Sequence, residues 1–326
     1  MIPLIYYLPS SIREGFSFLS ALLVSLVFGI VIPFIVMTML VPSLQAKAPK
    51  THNFRGREVF NGLGVVWFIW LASIYLALQF IEHFTASAQI WQDVVWQNSS
   101  WLSLLQPVIP LLAGTVAFGL FDDWAGDSAA KGFKGHFRAL GHGKLTTGGL
   151  KMIGIGLIAL ACGISVFYNG SLVSFIQAAL AGAVMALSAN LMNLFDLRPG
   201  RASKVYTLVL LLVTVVWLIA IKTGSMYLNC LGLVAIALAC IGPVVATLRF
   251  DLREDGMLGD AGANSMGALL GYLAVLALPL WALVVVTVFL VFLNLLSERV
   301  SFSDIIAKYA WLNKLDELGR KHKDNG

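Results

Sequence analysis

Charge is what this sequence has least of. Of its 326 residues only 12% are Asp, Glu, Lys or Arg, while 59% are hydrophobic. Soluble domains are about 25% charged, so a water-facing surface cannot be assembled from this chain and a bilayer is its expected solvent. Cysteine is scarce as well. Cys162, Cys230 and Cys240 lie in apolar runs at unrelated spacings, which argues against a disulfide framework or a zinc site and leaves small buried residues. His52, His83, His136, His142 and His322 show no metal-ligand spacing. Internal repeats and low-complexity tracts are missing, and the first apolar stretch is too long for a cleavable signal peptide.

What the chain has instead is long apolar runs. A spanning helix needs about 20 such residues, and segments near 17–43, 60–81, 102–121, 148–167, 173–195, 205–222, 227–248, 262–278 and 280–297 qualify. The expected fold is therefore an all-α polytopic membrane helix bundle of about nine transmembrane helices. One membrane domain, 1–298, is followed by a polar, amphipathic tail, 299–326.

Cations are nearly absent from one set of loops (82–101, 168–172, 223–226 and 279). Of 22 Lys and Arg, only Arg13 and Lys222 fall on that side. The loops 44–59, 122–147, 196–204 and 249–261, with the tail, are thus expected in the cytoplasm and the N-terminus outside. The sequence pI near 9.1 follows from topology and anionic headgroups and calls for no nucleic acid.

The chemically interesting groups gather on the cationic side. In GLFDDWAGD, Asp122 and Asp123 stand together at the end of an apolar helix. The carbonyl end of a helix is already negative, so two carboxylates there call for a positive partner, with a divalent cation the first candidate. The same connection carries Asp127, Lys131, Lys134, His136, Arg138 and Lys144, the parts that phosphoryl transfer uses; the alternative is a solvated loop of neutralising charges. In APKTHNFRGREVFNGLG, Lys50, Arg55 and Arg57 suit an anionic substrate, or simply obey topology, and Gly62 and Gly64 permit close backbone approach.

Asn190, Asn193 and Asp196 recur at steps of three on one helix face. Polar side chains at membrane depth face a cavity, or bond across helices. In REDGMLGDAGANSMGALLG, Asp260 opens a helix whose first N–H groups suit phosphate, and its small residues suit helix packing. The tail places Ile305, Ile306, Tyr309, Leu312, Leu315 and Leu318 in an apolar stripe, expected to lie along the membrane surface without a catalytic role.

Together these motifs resemble the polyprenyl-phosphate phospho-sugar transferases, which load N-acetylhexosamine-1-phosphate or phospho-MurNAc-pentapeptide onto undecaprenyl phosphate in the bacterial cytoplasmic membrane. The likeness rests on Asp122-Asp123, on Asn190-x-x-Asn193-x-x-Asp196 and on Gly259-Asp260-Ala261-Gly262, in family order, and extends to SERVSFSDII. It implies a phosphotransferase that moves a phospho-sugar from a nucleotide-sugar to polyprenyl phosphate in cell-envelope polymer synthesis. It further implies Mg²⁺, with Mn²⁺ as substitute, on Asp260 with Asp122 and Asp123. Asp122 would deprotonate or position the lipid phosphate, Asp123 would support it, and a homodimer is a family expectation.

Departures from the family pattern fall on donor recognition. Asp-Gly-x-Asp-Gly-Leu is replaced by Asp196-Leu-Arg-Pro-Gly-Arg201, with Pro199 at the second aspartate, and Met257 stands where an aromatic is common. The tail lacks a histidine-rich motif and a tenth span. Arg198 and Arg201 are candidates to hold a phosphate or charged sugar instead. The competing reading is a relative without catalysis, acting as a membrane transporter or lipid-binding protein; a purely structural partner is a third.

Overall fold

The structure, a computed structural model, describes residues 19–87, 106–126, 132–224 and 230–320. It is an all-α polytopic membrane protein. Its helices are α1 (Leu19–Lys47), α2 (Val66–Ser87), α3 (Val108–Ala125), α4 (Gly132–Gly141), α5 (Thr147–Phe167), α6 (Leu172–Phe195), α7 (Arg201–Lys222), α8 (Cys230–Leu252), α9 (Gly259–Ala277), α10 (Leu280–Ser297), α11 (Phe302–Lys308) and α12 (Ala310–Glu317).

Over their described residues the predicted segments are mainly helical, with 60–62 the non-helical start of the second. Among the described residues, seven helices are long and apolar enough to cross a membrane: α1, α3, α5, α6, α7, α8 and α10. The apolar stretch Leu63–Ala77, formed by a single turn and the first part of α2, is shorter. α9 is less apolar because its polar side chains meet other helices and not lipid; Asn264 and Ser265 are buried at its centre.

Local chemistry explains the element ends. Thr146 and Ser171 cap α5 and α6 by accepting from the N–H of Gly149 and Ser174, which satisfies donors that a helix start otherwise leaves open. α9 is buried along nearly its whole length between α3, α6 and α7. Its small residues make that burial achievable. A Cβ on Gly267 would stand 2.0 Å from Ser188 O, and one on Gly271 would stand 2.8 Å from Met185 Cα.

Polar tips inside the bundle find backbone carbonyls, as a water-poor interior demands. Trp70 donates to Ala239 O at 2.8 Å, Trp217 to Leu273 O at 2.7 Å and Tyr206 to Cys240 O at 2.8 Å. Cys162 and Cys240 are free and buried, as expected; the side chain of Cys230 is outside the described residues.

Two expectations change. The loop after α1 contains a hairpin, β1 (Lys50–His52) against antiparallel β2 (Glu58–Phe60). Its turn is closed by Asn53 Oδ1, which accepts from the N–H of Arg55 and of Arg57. The tail is not one surface helix. It breaks at Tyr309 into α11 and α12 and folds back onto the start of α7, where Asp316 becomes buried. Tyr309, Trp311, Leu315 and Leu318 stay exposed, so the apolar stripe survives beside a new ionic contact.

Candidate active site

The helix ends of α3, α5 and α9 meet at one point. Asp122, in the last turn of α3, accepts from Lys151 Nζ at 2.7 Å. The same ammonium donates to Asp260 in the first turn of α9. One lysine, emerging from the first turns of α5, therefore bridges two carboxylates from two other helices. The positive partner that the Asp pair demanded is encoded in the chain. Lys151 was missed in the sequence although it sits inside an apolar run, where an ionisable residue is itself a functional signal.

Asp123 does different work. Its Oδ1 accepts from the Asp260 N–H at 2.9 Å and from Asn61 Nδ2 at 3.0 Å, and its Oδ2 accepts from the Ala261 N–H at 3.1 Å. The residue at α9's own cap position, Leu258, offers no side-chain cap, so α3 lends its neighbour one. A carboxylate at a helix N-terminus is also favoured by the helix dipole. The N–H groups of Asp260 and Ala261, in the first turn of α9, are thus already bonded, and Asp123 acts as their cap.

Close backbone approach builds the meeting point. A Cβ on Gly119 would stand 2.4 Å from Ala261 Cα, and one on Gly64 would stand 2.3 Å from Gly262 N. Gly64 thus serves the approach of α9 and not of a ligand.

Beside Lys151 lies a cavity of about 270 Å³ with an apolar wall of Met152, Ile155, Ala186, Leu187 and Leu194. Its polar lining includes His136, Asn193, Asn264 and Glu298. His136 is held by a 2.8 Å hydrogen bond between Nδ1 and Thr146 Oγ1. Asn264 Nδ2 is buried there with no hydrogen-bond partner among the described residues, a donor open to an acceptor. Sequence reading passed over Asn264, since nothing in its spacing sets it apart from packing residues. Asn190 also borders the cavity, but its amide donates to Asn294 Oδ1 at 2.6 Å, and Asn294 donates in turn to Leu187 O and Leu290 O. For Asn190 the interhelical reading holds.

A second, narrow cleft opens between the hairpin and the loop after α6, lined by Phe54, Asp196, Arg198, Asp251 and Met257 among others. Arg198 stacks on the Phe54 ring, 4.4 Å from its centroid. Burial, together with the nearby carboxylates Asp251, Asp260 and Asp123, pushes the Asp196 carboxyl well above the usual range.

The remaining candidates are placed elsewhere. Lys50 is exposed and faces Glu58 across the hairpin at 3.8 Å, a pair of small energetic weight. Lys144 is exposed on the turn before α5. Lys131 and Asp127 lie outside the described residues, as does the side chain of Lys134. Arg201 is buried and pairs with Asp316.

The carboxylates fit a hard cation in part. Asp122 and Asp260 already share one positive group, and Asn61 Oδ1 is buried near Asp123 with no partner among the described residues. Among the described residues, no group of three or more His, Cys, Asp or Glu is arranged to hold a metal. Two carboxylates nevertheless suffice for Mg²⁺, which completes its shell with substrate phosphates and water. Compared with known proteins, the chain matches no family model and no curated relative.

Proposed function

We propose that this chain is a membrane phosphoglycosyltransferase that transfers a phospho-sugar from a nucleotide-sugar, with UDP-N-acetylhexosamine the first candidate, to a polyprenyl phosphate. The observation that carries the reading is the bridging of Asp122 and Asp260 by Lys151 at the edge of a cavity with an apolar wall and a polar lining. A lipid phosphate needs such a boundary, with hydrocarbon on one side and cationic and amide donors on the other.

In this reading Lys151, Asn264 and His136 face the acceptor phosphate, and Asp122 positions it or takes its proton. An acceptor oxygen attacks the β-phosphorus of the donor. A new P–O–P bond forms, the bond to the α-phosphate oxygen breaks, and the nucleoside monophosphate leaves. Asp260 and Asp122 would hold Mg²⁺, which would neutralise charge on the diphosphate. The Phe54–Arg198 cleft, about 30 Å³, meets the nucleotide end of the donor only at its rim, and Asp196 borders it. About nine crossings put the N-terminus outside and these groups on the cytoplasmic face, in agreement with the cation distribution. The cell-envelope role and a homodimer belong to the same proposal.

The competing reading is a lipid-binding or transport protein, favoured by a carboxylate–lysine cluster inside helices, which also suits an ion pathway. Purified protein supplied with undecaprenyl phosphate, Mg²⁺ and a panel of labelled nucleotide-sugars separates the two. Label entering lipid with the native chain, and not with Asp122→Asn, is expected. A folded native chain that moves no label from any donor would count for the transporter.

A further inference from the structure

Arg201 and the tail raise a question that the transfer chemistry leaves open. The guanidinium is buried, and its partners lie on the tail. Its Nε and Nη2 each donate to one oxygen of Asp316 at 2.8 Å, and its Nη1 donates to Ser303 Oγ at 2.7 Å. Arg320 Nη2 lies 2.6 Å from the same carboxylate, and Arg320 Nε donates to Pro199 O at 2.8 Å. Lys204 Nζ donates to Asp316 O at 2.6 Å. From the inner side, Asp251 Oδ2 accepts from the Gly200 N–H at 2.8 Å.

The segment Pro199–Gly200–Arg201 is thus held from both sides. Gly200 has φ +71, and a Cβ there would stand 2.4 Å from Leu252 Cδ2; Gly319 lies against the same leucine. Two residues upstream of Gly200, Arg198 stacks on Phe54 and lines the cleft with Asp196. Bidentate Arg–carboxylate pairing is rigid in a way a single charge contact is not.

We propose that Asp316 is a positioning residue: it straps the tail to Arg201 and Arg320 and so fixes the 196–201 loop, and with it Arg198, at the donor cleft. The assignment of the cleft to the donor rests on the proposed function; the strap itself does not. It also accounts for one departure from the family pattern: the arginine that replaces a leucine at the end of the loop meets a carboxylate on the tail.

Spin labels at Leu197→Cys and Leu318→Cys, both exposed sites, in an otherwise cysteine-free chain, read the strap without reference to activity. One narrow distance distribution is expected for the native latch, a broad one for Asp316→Asn and for Arg320→Gln, and recovery of the narrow one in Asp316→Glu. In transfer assays on the chain without labels, Asp316→Asn should raise the donor KM by about tenfold, the size of one misplaced charged contact. The kcat and the lipid KM should stay within about twofold, as loss of uniform donor binding requires. An unchanged distance distribution in both Asp316→Asn and Arg320→Gln overturns the strap. A broadened distribution with an unchanged donor KM overturns the positioning role. If the native chain moves no label, the proposed function fails, and the distance measurement still decides the strap.

Discussion

Lys151 Nζ lies 2.7 Å from Asp122 Oδ2 and donates to Asp260 as well, so one ammonium neutralises carboxylates from two other helices. Replacing it with Met leaves those carboxylates facing each other. Breaking a buried pair costs about 3–5 kcal/mol. The loss here is smaller, because the Lys, Asp122 and Asp260 side chains keep 14%, 17% and 23% of their surface exposed. Lys151→Met should lower the denaturation midpoint in detergent and abolish transfer. Added Mg²⁺ should restore part of the midpoint in the variant and change the native chain less. Equal responses would show that Asp122 and Asp260 do not form a cation site.

The adjacent aspartates should separate cleanly. Asp123 caps α9 through two backbone N–H groups, and losing a cap costs about 0.5–2 kcal/mol. Asp123→Ala should therefore lower the thermal midpoint. Asp122→Asn keeps the side chain's shape and can still accept from Lys151 as a neutral group, so it should lose less stability than Asp123→Ala while removing turnover. Equal stability losses in the two variants would remove the division of labour.

How far these roles were legible beforehand depends on how far apart the partners lie. The helical segments were plain from apolar run length alone, and the step of three placed Asn190, Asn193 and Asp196 on one face. Which of them bonds a neighbour was not readable, because Asn294 lies 104 positions beyond Asn190. Asp123 as the cap of α9 required the crossing of two helices distant in sequence, and Arg201 with Asp316 required a pairing across 115 positions. Lys151 is different. A lone cation inside an apolar run was visible, and the charge pattern that oriented the chain drew attention to the loops instead.

The asparagines give a second separation. Asn294→Leu removes three hydrogen bonds among α6 and α10. Interhelical polar contacts in membranes contribute about 0.6 kcal/mol and reach about 1.7, so a modest midpoint loss with transfer retained is expected. Asn193→Ala, at the cavity, should instead raise the lipid KM with stability unchanged. Reversal of the two phenotypes would place Asn190 and Asn294 in the site.

Gly64→Ala tests the close approach that aligns α9. The added methyl would stand 2.3 Å from Gly262 N and 2.8 Å from Ala261 C, both backbone atoms that cannot swing aside. Overpacking of this kind costs about 1–3 kcal/mol. The variant should lose stability by that amount and transfer along with it, because Asp260 moves with the start of α9. A native midpoint in Gly64→Ala would mean that the helices have room to separate there.

The tail latch should also respond to pH. Burial alone would raise the Asp316 carboxyl, but hydrogen bonds and charge from Arg201 and Arg320 outweigh it and hold the group below its ordinary value. A depressed carboxylate contributes stability that is fully present above its unfolded pKa, about 3.9 for Asp. That contribution is lost as pH falls through the lower folded value. The distance between labels at positions 197 and 318 should therefore stay constant from about pH 8 to pH 5 and broaden only below about pH 4. High salt should change it little, since the pair is buried and weakly screened. Broadening near pH 6 would point to a titrating group other than Asp316, with Asp251, which accepts from the Gly200 N–H, the first contact to test. The strap would then depend on the inner contact to Gly200 more than on the outer one to Arg201.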